Sequence, residues 1–175
     1  AGYENPGGDM IRAILHADRN WGIGRNNSLM FSLPKDMKFF RETTSGKTVV
    51  MGGNTLRSFP GGKPLKNRTN IVLSRGQSSD DCIVVSDLDA LKSEMKKRKA
   101  EDIYVIGGAS VYEALLPYCE EVLVTKVDAE GGAETFFPNL DRKKQFVAVE
   151  ESEPIEDNGY TIRFMKYRNT EVCEL

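Results

Sequence analysis

The strongest constraint on this chain is an alternation. From Met10 onward, short runs of β-branched and aliphatic residues take turns with segments whose apolar residues recur every three or four positions. The runs are "IRAILHA" (Ile11–Ala17), "KTVVMG" (47–52), "TNIVLS" (69–74), "CIVVS" (82–86), "DIYVIGG" (102–108) and "EVLVTKVDAE" (121–130). Continuous apolar strands of this kind suit a sheet covered on both faces. The segments between them, around 34–44, 54–59, 88–98 and 109–118, read as helices. Two last runs, "QFVAVEES" (145–152) and "YTIRFMKYR" (160–168), form a hairpin or an antiparallel pair. Strands alternating with helices, then terminal strands, predict one α/β domain built on a mixed, mostly parallel sheet with an antiparallel edge.

Nothing in the chain splits that unit. There is no repeat, low-complexity tract or linker, and 175 residues suffice for one sizeable core. The segment 1–9, "AGYENPGGD", lacks the apolar core of a signal peptide and is expected to be a flexible, vector-derived leader. The expected domain spans 10–168, with 169–175 as a tail. No run is apolar enough to cross a bilayer, so no membrane partner is expected. A net charge of −2 gives no basic footprint for nucleic acid. Cys82, Cys119 and Cys173, odd in number and far apart, argue for a reducing, cytoplasmic setting. One histidine without clustered cysteines argues against a zinc site. Ser32 is expected to cap the first helix, with Pro34 in its first turn. Ser86 and Asp89 make a capping-box pattern ahead of Leu88, Leu91 and Met95. The charge run "KKRKAED" (96–102), with acidic neighbours, reads as a solvated helix end in preference to an anion patch.

Three strand ends carry the chemistry. "VIGGASVY" sets Gly107 and Gly108 where a strand enters a helix, "MGGNTLRS" does the same with Gly52 and Gly53, and "LSRGQSS" places Ser74 and Arg75 after a third strand. Glycines there let backbone N–H groups approach a phosphate, and ligands of open α/β sheets bind beyond the carboxyl ends of strands. A plain tight turn explains each pair taken singly, since the full dinucleotide fingerprint is missing. A different anomaly lies in "MFSLPKDMKFF" (30–40). Asp36 shares a helical face with Phe40 and sits beside Met37. Either it complements the helix dipole from the surface, or its partner is a ligand. A carboxylate can accept two parallel hydrogen bonds from an N–C–N edge, and in an apolar pocket it can manage a proton near neutral pH.

Taken together and in this order, "IGRNNSLMFSLPKDMKFFRETT", "KTVVMGGNTLRSF", "PLKNRTNIVLSR", "DIYVIGGASVYEALLP", "VLVTKVDAE" and "ETFFP" resemble the dihydrofolate reductase family, over Met10 to about Arg168. The resemblance implies a mixed eight-stranded sheet with an antiparallel last strand. It also implies reduction of 7,8-dihydrofolate to tetrahydrofolate by hydride transfer from NADPH, in a cytoplasmic monomer that also binds antifolate-type molecules. Asp36 matches the acid that binds the pterin's 2-amino group and N3 and promotes protonation at N5 through substrate and water. Thr125 matches the threonine supporting that carboxylate and a bound water. Phe31 and Leu29 match the aromatic position and the lid beside the reacting centre. The implied pterin walls are Ile14, Leu15, Met37, Phe40, Ser58, Phe59, Leu65 and Ile106, with Tyr112 near the nicotinamide. Arg68 matches the arginine that grips the substrate's glutamate α-carboxylate.

On the cofactor side, the resemblance assigns Gly107, Gly108, Ala109, Ser110 and Val111 to the pyrophosphate turn, with a cis Gly-Gly bond. Asn27, Ser28 and Leu29 match a mobile loop closing over the nicotinamide, next to Leu15, Ile23, Ile106 and Thr135. Gly52, Gly53, Asn54, Thr55, Leu73, Ser74 and Arg75 match the adenosine half. Gly53 and Asn54 stand where the family carries basic residues, which leaves Arg75 as the main cation for the 2′-phosphate. Phe31 replaces a tryptophan and its N–H, Met30 replaces a proline, and His16 replaces a small residue at the pocket edge. The competing expectations are a related reductase of riboflavin synthesis acting on a ribosylated pyrimidine, and a non-catalytic nucleotide-binding module. Decay of the NADPH absorbance with dihydrofolate marks the first reading, decay only with the pyrimidine the second, and no decay with intact folding the third.

Overall fold

The computed structural model describes residues 10–76, 81–98 and 102–175. The leader (1–9), the end of the "LSRGQSS" stretch (77–79) and part of the charge run (99–101) lie outside the described residues.

The strands are β1 (Ile11–Ala17), β2 (Gly22–Gly24), β3 (Thr48–Gly52), β4 (Thr69–Leu73), β5 (Ile83–Val85), β6 (Ile103–Gly107), β7 (Glu121–Val127), β8 (Thr135–Phe136), β9 (Phe146–Glu151), β10 (Ile155–Asp157) and β11 (Tyr160–Asn169). The helices are α1 (Pro34–Thr44), α2 (Gly53–Ser58), α3 (Leu88–Lys97) and α4 (Ala109–Leu115). The main sheet runs β5-β4-β3-β6-β1-β7-β11 with all pairs parallel up to β7, and β11 is antiparallel to β7. β9 and β10 share the far edge of β11, β9 against 165–169 and β10 against 160–162. They fill one strand position between them, so the sheet has eight positions, as the family resemblance implies. The expected terminal pair is β9 with β11. β10 and the small β2–β8 sheet are additions that no alternating run announced, because three- and two-residue strands carry too little pattern to show.

Parity along the strands sorts the core into two layers. Ile11, Ala13, Leu15 and Ala17 of β1 pack with Leu91 and Met95 of α3 and Val111 and Leu115 of α4. Ile14 faces the other way, with Val49, Met51, Val72 and Tyr104, towards Leu56 of α2 and Phe39 and Phe40 of α1. His16 shares the parity of Ile14, and its register partner on β7 is Thr125. The sheet therefore presents His16 and Thr125 side by side beneath α1.

The start of α1 departs from expectation. Leu33 occupies the cap position and makes no side-chain capping bond. The backbone N–H groups of Lys35 and Asp36 donate instead to the two carboxylate oxygens of Asp157, both at 3.1 Å. Ser32 is not the cap; its carbonyl accepts from Asn158 Nδ2 at 2.9 Å. A buried carboxylate from β10 satisfies two first-turn donors at once, which a single serine hydroxyl cannot do. In α3 the cap is Asp87 rather than Ser86: its Oδ1 accepts from Ala90 N at 2.7 Å.

Candidate active site

Asp36 is the third residue of α1, and its side chain is only 13% exposed. The purely superficial reading of this acid is therefore excluded. Thr125 Oγ1 donates to Asp36 Oδ1 at 2.6 Å, and His16 Nδ1 lies 3.4 Å from Oδ2. Leu33 and Phe31 are buried around it, whereas Met37, 43% exposed, sits at the rim. The anion complements the N-terminal end of α1, and its free lone pairs face a cavity instead of bulk water.

That cavity has a volume of about 1410 Å³, more than the roughly 300–1,000 Å³ typical of one small-molecule site. Ile14, Leu15, Phe31, Asp36, Met37 and Phe40 form one end with Ser58, Phe59, Leu65 and Ile106. The other end is glycine- and hydroxyl-rich: Gly52, Gly53, Asn54, Thr55, Leu73 and Ser74 face Gly107, Gly108, Ala109 and Ser110. Val111 and Tyr112 continue that wall, and Ile23, Asn27, Ser28, Leu29 and Thr135 close it from the side. The cavity opens along the carboxyl ends of β1, β3, β4 and β6, where an open α/β sheet offers free backbone.

Three expected site residues do not line it. Thr125 is buried behind Asp36 and reaches the cavity only through that carboxylate. Arg68 donates through Nε to Thr44 Oγ1 at 3.2 Å and through Nη1 to Lys66 O at 2.8 Å, with its guanidinium 6.0 Å from the Phe40 ring centre. Burial, with a smaller contribution from neighbouring Arg41, lowers its pKa, and none of its partners among the described residues is a carboxylate. Arg75 is exposed beyond Ser74. Conversely, Arg25, Arg57 and Glu134 line the cavity, as does His16, which the resemblance had put at the pocket edge. Arg57 had a usable signal, since it lies one helical turn after Gly53 and Asn54 and bonds to Asn54 Oδ1. Glu134 had none; its carboxylate accepts from Asn26 N at 2.7 Å across 108 residues of chain.

Two glycines are shaped by this geometry. Gly107 has φ +125°, and a Cβ there would sit 3.4 Å from Thr55 Oγ1 and from the Tyr112 ring. The Gly107–Gly108 bond is cis, as the resemblance implies. A Cβ on Gly52 would press on Val111 Cγ2 at 3.3 Å. Tyr112 OH donates to Ile14 O at 2.8 Å, and burial pushes its phenol far above the ordinary value, so it stays a neutral donor. The loop after β2 turns tightly at Asn26 and Asn27, both at positive φ, between the bridge partners Arg25 and Ser28. Asparagine tolerates that backbone. Asn27 Nδ2 then reaches Asn54 O on α2 at 3.1 Å, spanning the cavity mouth.

A crevice of this kind, with one anchored acid at an apolar end and small donors at the other, defines an α/β enzyme that seats two ligands side by side. Residues 10–169 match the dihydrofolate reductase family model, and the chain belongs to that family. It is 35% identical over 161 residues to the dihydrofolate reductase of Bacillus subtilis, covering 90% of this chain and 94% of that protein. It is 37% identical over 164 residues to the Enterococcus faecium enzyme, covering 91% and 96%. The solved dihydrofolate reductase of Enterococcus faecalis, complexed with NADP(H) and RAB-propyl, superposes with a TM-score of 0.81 at 30% identity, over 92% and 96% of the two chains. The chain is an oxidoreductase that reduces 7,8-dihydrofolate with NADPH.

Proposed function

We propose that Asp36 binds the pterin of dihydrofolate through its 2-amino and N3 edge and promotes protonation of N5, while the glycine-rich end of the cavity holds NADPH. The observation carrying this is a carboxylate only 13% exposed, braced by Thr125 at 2.6 Å, at the apolar end of a cavity large enough for two ligands. A carboxylate accepts two parallel hydrogen bonds from such an edge. The proton reaches N5 through substrate and water, because an acid gripping the 2-amino edge stands away from N5. Phe31 adds apolar wall without an N–H of its own.

The donor set fits the cofactor. The Gly107–Gly108 turn leaves open backbone, Thr55, Ser74 and Ser110 offer hydroxyls, and Arg25 and Arg57 are cations on the wall. When bound, NADPH supplies a hydride, and the protein supplies orientation and electrostatics. Arg57 is placed to take a phosphate charge on the wall, and exposed Arg75 to meet the 2′-phosphate from its edge. Leu29 and the Asn27–Asn54 contact close the mouth and exclude water. Arg68, half-buried without an anionic partner among the described residues, fits the substrate's α-carboxylate at the outer end of the pterin wall. The domain at 10–168 acts as a cytoplasmic monomer that also takes antifolate-type inhibitors.

The test is Asp36→Asn, which keeps shape and removes the anion. Turnover with dihydrofolate at neutral pH is expected to fall about 10²–10⁴-fold. The loss shrinks as pH falls, because substrate protonated in solution then supplies the proton. An unchanged rate across the pH range removes Asp36 from the mechanism.

A further inference from the structure

Asp36 is held on two sides. Thr125 bonds Oδ1, and the imidazole of His16 approaches Oδ2, from adjacent strands in direct register. His16 is only 7% exposed in its side chain, yet its Nε2 is buried with no hydrogen-bond partner among the described residues. The uncharged Phe31 ring lies beside it, 6.0 Å between centres. Asp36 is the titratable group that faces it from α1, and Thr125 on β7 is neutral. A buried polar atom left without a partner needs a physical reason.

We propose that His16 is a second positioning residue for Asp36, doing for Oδ2 what Thr125 does for Oδ1. The lone pairs of Asp36 carry this assignment, which rests on the reading of Asp36 as the pterin acid. An ionised carboxylate offers about four acceptor sites, two on each oxygen. Thr125 takes one on Oδ1, and an Nδ1–H of His16 takes one on Oδ2. One site on each oxygen remains, side by side, which is the arrangement a bidentate N–C–N edge requires.

The orphaned Nε2 selects the tautomer. A proton on Nε2 would be a buried donor with no acceptor, and in the neutral ring it would leave the Nδ1 lone pair facing an anion. Both costs vanish when the proton sits on Nδ1. A neutral imidazole also leaves the full negative charge of Asp36 for the ligand. The 3.4 Å separation is long for a hydrogen bond, and such contacts in ligand-free sites tighten when the complex forms.

The chain has a single histidine, so its imidazole nitrogens can be read without assignment. Long-range ¹H–¹⁵N NMR of the protein, freed of any histidine tag, is expected to show the Nδ1–H tautomer. Asp36→Asn should shift the ring towards the Nε2–H form that prevails in water. A 2,4-diaminopyrimidine, which presents the same N–C–N edge, should move both nitrogen signals in the parent. His16→Phe keeps a ring and removes both nitrogens. It is expected to lower kcat/KM for dihydrofolate and diaminopyrimidine affinity about tenfold each. His16→Asn, whose amide can still donate, should recover most of that loss. An Nε2–H ring in the parent, or a signal blind to Asp36→Asn, overturns the proposal whether or not His16→Phe folds. A parent that oxidises no NADPH with dihydrofolate, yet shows the tautomer respond to Asp36→Asn, keeps the His16–Asp36 contact and discards the pterin reading.

Discussion

A single acid out of place was the most informative residue in the chain. Asp36 stood out because helix periodicity put it among Met37 and Phe40, and an unpaired buried charge costs too much to be accidental. What periodicity could not show was its brace. Thr125 lies 89 positions away in sequence and meets Asp36 only through sheet register. Thr125→Val keeps the volume and deletes one hydrogen bond to a charged group, worth about 1.5–3 kcal/mol. We expect kcat/KM to fall at least tenfold in steady-state assays, with little change in secondary structure by circular dichroism. Arg57 invites a second test at this scale. If it holds a cofactor phosphate, Arg57→Ala raises Kd for NADPH several-fold by fluorescence titration; unaltered affinity would hand that role to Arg25 or Arg75. Asp18 contributes to the acid behaviour. Burial alone would raise its pKa, but hydrogen bonds from the backbone N–H groups of Gly131, Gly22 and Asn20, with Lys126 nearby, outweigh that and lower it. A carboxyl depressed in the folded state contributes stability above its ordinary value and loses it as pH falls through and below that range. Asp18→Asn should therefore flatten the acid limb of a stability–pH curve measured with urea.

Among the elements, α1 matters most because it carries the acid. Its range was legible from Pro34, the apolar spacing and the run to Thr44. Its cap was not, because the capping group comes from β10, on the far side of the chain. Asp157→Ala leaves two first-turn N–H groups without acceptors. The expected cost is about 1–2 kcal/mol by analogy with lost N-caps, read as a lower urea midpoint at unchanged m-value. Because α1 would also lose its anchor, KM for dihydrofolate should rise. A stable variant with native KM would show that water replaces Asp157 fully. The loop after β2 teaches a related lesson. Asparagine and glycine marked it as a turn, but the β2–β8 pairing and the Asn27–Asn54 bridge depend on partners over 25 positions away.

For the molecule as a whole, one ionic knot ties the sheet together. Arg12 on β1 bonds Glu121 on β7 through Nε at 2.7 Å and approaches Asp102, just before β6, at 3.4 Å. Arg12 and Glu121 are both buried. Removing one member of such a pair strands the other charge, typically costing about 3–5 kcal/mol. Arg12→Met should therefore lower Tm by several degrees or more in calorimetry while leaving the active-site geometry, at the opposite end of β1, undisturbed in the folded fraction. Equal stability would mean Glu121 takes up a proton or another partner.

The sequence by itself determined the fold class, the number of strand positions through its family resemblance, and nearly every residue of the cavity wall. The fold class follows from local periodicity, whereas the strand count and the wall residues came through the family resemblance, since apolar spacing alone reads those side chains as core. Only the tertiary structure decided which oxygen of Asp36 meets Thr125 and which faces His16, where α1 finds its cap, and that Arg57 lines the wall while Arg68 and Arg75 stand outside it. Such contacts join positions up to about 120 residues apart. Their geometry is set by strand order and register, which a linear pattern of apolar and polar residues does not encode.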